Sequence, residues 1–154
     1  MSEKIANISL DERSMKKRSA EAEHERAQAI ADLLDENCFE PRCMQSGPYN
    51  IMLGIEDGKL ILDVYSPIEE KHSKVILSVA PLRGIIRDYF MIFESYQAAI
   101  AAQNHSKLEA IDMGRRGVHN EGSEKLQEIL HDRILVDFPT ARRLFTLICV
   151  LHIK

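Results

Sequence analysis

The segment DMGRRGVHNEG, residues 112–122, concentrates polar side chains capable of chemistry between three glycines. Arg115 and Arg116 offer planar, forked N–H donors that fit a phosphate or a carboxylate. His119 is of the one side-chain type that titrates unperturbed near neutral pH, and Glu121 is close enough in sequence to orient it or to act as a base. This spacing predicts a site that holds an anionic group.

The same segment has a purely structural interpretation, as a turn between two helices. Gly114 or Gly117 would end a helix over 107–115, with the arginines near the negative end of its dipole. Ser123 would then cap the next helix, over 124–131, and favour an anion at that N-terminus. Both interpretations place the segment in a turn, and the sequence leaves them open.

A second pair of arginines, Arg142 and Arg143, lies in TARRLFTLI, one turn inside a predicted C-terminal helix. Arginine near the positive end of a helix dipole is mildly unfavourable. The pair therefore either flanks a core helix at the surface or reaches an acidic partner, such as Asp112 or Glu121, or a bound anion. A site built from both pairs requires the chain to fold them toward one pocket.

Several sharper motifs are incomplete. HER at 24–26 begins like the zinc-protease HExxH, but its fifth residue is Gln28, and we interpret these residues as a solvated helix face. HNE at 119–121 resembles the HxE of zinc deaminases without their P-C-x-x-C. GRRG fits the GxxG loop of KH-type RNA binders only weakly. Because the sequence also has no Walker, GxSxG or Rossmann fingerprint, we predict no metal and no cofactor.

Length and charge indicate one acidic globular domain. The 154 residues predict a single domain, 1–154. The net charge of −4 argues against nucleic acid as a partner. Residues 1–80 carry 10 Lys and Arg against 15 Asp and Glu, and residues 81–154 carry 10 against 9. An anion-binding surface is therefore expected in the second half.

Cysteine usage and apolar runs predict a cytoplasmic protein with no membrane segment. Three cysteines give no disulfide framework, and reduced thiols fit a cytoplasm. The N-terminus lacks the apolar core of a signal peptide. The longest apolar runs, such as YFMIF and LICVL, are far shorter than the roughly 20 residues of a transmembrane helix.

Alternating apolar residues predict a small antiparallel sheet. YNIMLGI and KLILDV alternate on either side of Asp57-Gly58, which supplies the positive φ of a two-residue hairpin turn. A third strand over 74–80 completes a meander with one buried face. IANISL near the N-terminus and RILVDF near the C-terminus add short edge strands.

Apolar residues at helical spacing predict further helices. The first covers 19–37, with Ser19 as its N-cap, and a long helix over 81–103 must lie across the sheet. Asp137 caps a C-terminal helix that is apolar on nearly all sides and is therefore buried. The predicted fold is α+β: a small antiparallel sheet, made of a three-stranded meander plus edge strands, packed against the long helix and the buried C-terminal helix.

A family resemblance rests on four stretches: AEHERAQAIADLLDEN, IIRDYFMIFESY, EAIDMGRRGVHNEG and VDFPTARRLFTLICVLH. Together they resemble an alphaproteobacterial family known as uncharacterised protein family 0262. The resemblance covers nearly the whole chain, and the two Arg-Arg blocks are its most specific parts. It implies a small stand-alone cytoplasmic protein. It carries over no activity, cofactor or catalytic residue, so the function has to be argued from the residues.

Three functional hypotheses follow from these residues. The first is a non-catalytic cytoplasmic binding or regulatory module that holds a phosphate, a carboxylate or an acidic partner. The second is an enzyme in which Arg116 binds the substrate anion, His119 is the general acid/base and Glu121 orients it. The third is a homodimeric protein-interaction module. The first is favoured because no nucleophile, metal set or cofactor motif accompanies the cluster. Its predicted ligand-binding residues are Arg115, Arg116, His119, Asn120, Glu121, Arg142 and Arg143.

Overall fold

A computed structural model describes residues 3–11 and 20–152 of the chain. Its strands are β1 Ile5–Leu10, β2 Phe39–Pro41, β3 Tyr49–Glu56, β4 Lys59–Ser66, β5 Lys71–Ser78 and β6 Ile134–Val136. Its helices are α1 Ala20–Asp35, α2 Arg83–Ala101, α3 His105–Leu130 and α4 Phe138–Leu151, with a 3₁₀ turn at Ala80–Leu82. The combination of helices with a largely antiparallel sheet is α+β, which confirms the predicted class.

The predicted meander is present as β3, β4 and β5. β3 and β4 are antiparallel and are joined at Asp57 and Gly58, whose φ angles of 51° and 73° suit a type I′ turn. Leu53, Leu62 and Val75 are neighbours across the ladder and are buried. β1 pairs with β3 in parallel, so the four-stranded sheet has the order β1-β3-β4-β5 and is mixed rather than wholly antiparallel.

The C-terminal helix α4 is buried, as predicted. Asp137 caps it by accepting a hydrogen bond from the backbone N–H of Thr140 at 3.0 Å. Every residue from 144 to 151 is buried, and the helix contacts α1, α3 and β3. The strand predicted from RILVDF is β6, which pairs with β2 just before the helix begins. A helix that is apolar on nearly all sides is thus covered by several other elements.

The long helix α2 occupies a different place from the predicted one. It packs mainly against α3, whereas α1 and α4 make the more extensive contacts with the four-stranded sheet, at β1 and β3. Most of its buried residues lie in its first half, and Ile100 near its end is 46% exposed. The place against the sheet belongs to α4, because burying the most apolar helix there removes more apolar area from water.

The largest difference from the sequence prediction is α3, which is one helix of 26 residues. Residues 107–115 and 124–130 are helical, as predicted, but the turn predicted between them is wrong, because 112–122 is helix interior. Asn104 caps α3 by accepting a hydrogen bond from the backbone N–H of Lys107 at 3.1 Å. Glycine inside a helix costs about 1 kcal/mol relative to alanine, and the packing of α3 against α2 and α4 outweighs this cost.

The helical conformation removes two roles considered for this segment. Ser123 caps no helix, because it lies inside α3. Its hydroxyl donates a hydrogen bond to the carbonyl oxygen of His119 one turn earlier. GRRG is no loop between helices, so the comparison with a KH loop is wrong. Ser19, the predicted N-cap of the first helix, lies outside the described residues. Within the part of the chain that is described, no helix has both the length and the apolar character to cross a membrane.

Candidate anion-binding site

One cavity, here named the arginine pocket, lies between α1, α3 and α4 and has a volume of about 170 Å³. α3 contributes Arg115 and His119, which are four residues apart and so share a helix face. α4 contributes Arg142 and Arg143. The structure therefore brings one arginine of the first pair, both of the second and the histidine to one pocket. The α1 residues in its wall are Glu25, Gln28, Ala29 and Asp32.

His119 is buried in this pocket, and no other described residue forms a hydrogen bond with its ring. Its relative exposure is 3%, and neither ring nitrogen has a partner among the described residues. The ring lies edge-on to the rings of Tyr89 and Phe145, whose centroids are 5.5 and 6.1 Å away. Burial, followed by the charges of Arg142 and Arg115, lowers the pKa of His119 from 6.5 to about 4. The imidazole is therefore neutral near pH 7, with one donor and one acceptor nitrogen.

Arg115 is held by Glu25, an acid for which the sequence predicts a solvated helix face. Its guanidinium lies 3.1 Å from the carboxylate of Glu25 and 5.9 Å from the ring centre of Tyr96. The Glu25 side chain is only 18% exposed, so the interpretation of HER as solvated is wrong for its middle residue. The spacing along α1 could have indicated this burial, because Glu25 lies three residues after Ala22 and four before Ala29, on the buried face of the helix.

Three of the predicted binding residues lie outside the arginine pocket. Arg116 pairs with Asp112 at 3.1 Å, and its side chain is 73% exposed. Asn120 and Glu121 are also exposed. Because residues two apart on a helix do not face each other, Glu121 is not placed to orient His119.

The arginines of α4 are free of acidic partners within the described ranges, so neither pairs with Asp112 or Glu121 as we considered. Arg143 donates a hydrogen bond to the carbonyl oxygen of Pro139 at 2.9 Å, which satisfies part of its guanidinium. Arg142 is exposed at the mouth of the pocket, and its charge reaches His119. Both retain donors that an anion could use.

A larger cavity, here named the aromatic pocket, lies between α1, α2 and α3 and has a volume of about 440 Å³. Glu25 and Arg115 line it as they line the arginine pocket, so their ion pair is a common wall. Burial, followed by the charge of Glu25, raises the pKa of Tyr89, which keeps that hydroxyl protonated. The aromatic and apolar side chains in the wall are Tyr89, Ile92, Phe93, Tyr96 and Val118.

One group of potential metal ligands is found in the described part of the chain, at Glu3, Cys38 and Glu40. Their ligand atoms all lie within 4.8 Å of one another. A hydrogen bond with Glu40 and its charge raise the pKa of Glu3, and burial raises the pKa of the Cys38 thiol. Such groups of acidic side chains are common without a bound ion, and no second feature of the described residues points to a ligand here. We therefore assign no metal to this group.

Sequence similarity to known proteins extends over nearly the whole chain. The family described as Uncharacterised protein family (UPF0262) matches residues 2–154. A UPF0262 protein of Paramagnetospirillum magneticum is 54% identical over 152 residues, which cover 99% of this chain and 97% of the relative. UPF0262 proteins of Azorhizobium caulinodans and Brucella suis are 49% and 51% identical, with 98% and 97% of this chain and 94% and 93% of the relatives covered. No solved structure shows significant similarity.

Proposed function

This chain belongs to the uncharacterised protein family UPF0262, and because that description assigns no activity, we propose a function from the arginine pocket: a non-catalytic cytoplasmic binding module that holds a small phosphate or carboxylate. One observation carries the proposal. Three guanidinium groups and a buried, unpartnered imidazole, from two helices, converge on one cavity. Arginine forks bind such anions through paired, charge-assisted hydrogen bonds. The cytoplasmic location rests on the three cysteines without a disulfide framework.

The state of His119 favours a ligand over a purely structural role for this residue. A buried polar group without a hydrogen bond costs about 1–3 kcal/mol. Phenylalanine would pack against Tyr89 and Phe145 without that cost. An anion in the pocket would be bound by Arg142 and Arg143, which balance its charge. A shift of the imidazole, whose two nitrogens are fully buried, would then let the neutral ring donate a hydrogen bond to it.

Binding is better supported than catalysis by His119. A general base works best with a pKa near the operating pH and within reach of a partner that fixes its ring. The pKa of His119 is about 4, and its ring nitrogens have no partner among the described residues. The enzyme hypothesis also required Arg116 and Glu121 beside the imidazole, and both lie outside the pocket.

We expect Arg142→Ala to weaken the binding of inorganic phosphate about tenfold, because one charge-assisted hydrogen bond to the anion is lost. Isothermal titration calorimetry at low ionic strength measures the dissociation constant. Arg116→Ala is the matched control, since it removes the same charge from an ion pair outside the pocket, and we expect about a twofold change at most. The proposal fails if the wild-type protein binds neither phosphate nor acetate, or if both variants lose affinity equally.

We expect Glu25→Gln to strengthen phosphate binding about three- to tenfold, because the glutamate both repels an anion and occupies Arg115. The same titration measures the change. Glu21→Gln is the control, because Glu21 lies one turn earlier on α1 and lines only the aromatic pocket. An unchanged or weaker affinity in Glu25→Gln would show that Arg115 does not reach the bound anion.

A further inference from the structure

The arginine pocket and the aromatic pocket are neighbours that are separated by one shared wall. Glu25 and Arg115 line both cavities. Behind this ion pair, the ring of Tyr89, which lines the aromatic pocket, contacts the ring of His119, which lines the arginine pocket. A ligand that lies beside Arg115 in one cavity is therefore adjacent to the other.

The volumes of the two cavities suit different parts of a ligand. Sites for small molecules have volumes of roughly 300–1,000 Å³ and are mainly apolar, with a few polar groups that fix orientation. The aromatic pocket, at about 440 Å³, falls in this range. The arginine pocket, at about 170 Å³, is large enough only for a head group.

The chemistry of the aromatic pocket favours an uncharged ring. Phe93 stacks on Tyr89 with the ring planes 17° apart and the centroids separated by 6.2 Å, and Tyr96 lies beside Arg115. Such faces accept another ring by offset or edge-on contact. Glu25 and Arg115 neutralise each other in the common wall, so the wall offers a ligand no unbalanced charge at that point.

We infer that the ligand, if the proposed function holds, is an aromatic compound with one phosphate or carboxylate group. Its ring lies in the aromatic pocket, and its anionic group reaches the arginine pocket across the partly exposed Arg115 side chain, which contacts both parts. Arg115 keeps its ion pair with Glu25 through one terminal nitrogen and offers its remaining N–H groups to the anion. The aromatic pocket supplies the apolar faces and Arg115, and the arginine pocket adds the cations Arg142 and Arg143.

The inference is tested by titrating the wild-type protein with phenyl phosphate, benzoate and inorganic phosphate under the same conditions. We expect phenyl phosphate to bind about tenfold more tightly than inorganic phosphate, because its ring is removed from water. Phe93→Leu should abolish most of this advantage and leave the affinity for inorganic phosphate unchanged. Comparison of benzoate with phenyl phosphate distinguishes a carboxylate site from a phosphate site.

Phe90→Leu is the matched control, because Phe90 lies on the same helix and contacts Tyr89 but does not line the aromatic pocket. It should retain the preference for phenyl phosphate, and thermal melting checks that both variants are folded. Equal affinity for phenyl phosphate and inorganic phosphate, or an equal loss of preference in the two variants, would overturn the inference and leave the proposed function intact. No binding of any of the three compounds would overturn both.

Discussion

Replacing Gly122 with alanine should destabilise the protein by about 2–3 kcal/mol, although alanine is the better helix former. A Cβ atom at this position would clash with Cζ of Phe145 and would lie 2.5 and 2.6 Å from its two Cε atoms. Phe145 is fully buried and packs edge-on against Tyr89 and His119, so its ring has no free space to enter. The clash can be relieved only by moving α3 away from α4, which opens the core.

Gly117→Ala is the control for Gly122→Ala, and it should have the opposite sign. A Cβ atom at Gly117 would meet nothing within 4 Å, and the residue lies inside the same helix. We expect a gain of about 0.5–1 kcal/mol from helix propensity. Urea unfolding followed by circular dichroism measures both free energies.

A rescue experiment identifies the contact responsible. In a Phe145→Leu background, the alanine at position 122 should cost less than it does in the wild-type protein, because the ring that it meets is gone. If Gly122→Ala were as stable as the wild-type protein, the close approach of α3 and α4 at this point would be wrong.

The parts of the fold that the sequence predicted depend on local chemistry. The hairpin at Asp57-Gly58 needs two residues with positive φ and alternating apolar residues on each side, and all of these are visible in sequence. The C-terminal helix likewise follows from its cap at Asp137 and its apolar surface. In both cases neighbours along the chain supply the determining interactions.

The interpretation of Gly114 or Gly117 as a helix end failed because packing against other helices keeps α3 continuous, and at Gly122 that packing also requires a glycine. A glycine that ends a helix and a glycine that lets a ring approach are indistinguishable in one sequence. At Gly122 the reason is Phe145 on α4, which is close in space and remote along the chain. Helix punctuation by glycine therefore predicted a turn where tertiary packing maintains a continuous helix.

Only part of the candidate site could be predicted, because the positions of its residues also depend on tertiary packing. Once α3 is continuous, spacing by four residues places Arg115 and His119 on one face, and Arg116 turns outward. As long as 112–122 is predicted to be a turn, the sequence cannot distinguish the inward-facing Arg115 from the outward-facing Arg116. The contribution of Glu25 depends on how α1 approaches α3, and local spacing indicates only that this residue lies on a buried face.

Acid should destabilise the protein through His119 by about 3 kcal/mol between pH 6.5 and pH 4. In the unfolded chain this imidazole gains a proton near pH 6.5, whereas in the folded protein burial and the charges of Arg142 and Arg115 lower its pKa to about 4. The unfolded state therefore binds more protons in this interval, and its stabilisation lowers the free energy of unfolding as the pH falls. Below about pH 4 both states are protonated, and this contribution stops changing.

His119→Phe isolates this contribution, because phenylalanine fits between Tyr89 and Phe145 and does not titrate. Urea unfolding of both proteins at intervals from pH 7.5 to pH 3.5, in a buffer without phosphate, should give a shallower acid loss for the variant. The carboxylates are the same in both proteins, so the difference between the two curves of unfolding free energy against pH is assigned to His119. Parallel curves would show that the ring is not buried as a neutral group. Added phosphate should make the wild-type curve shallower, because a bound anion offsets the charges of Arg115 and Arg142 that oppose protonation of His119. This result would link the pH dependence of stability to the proposed function.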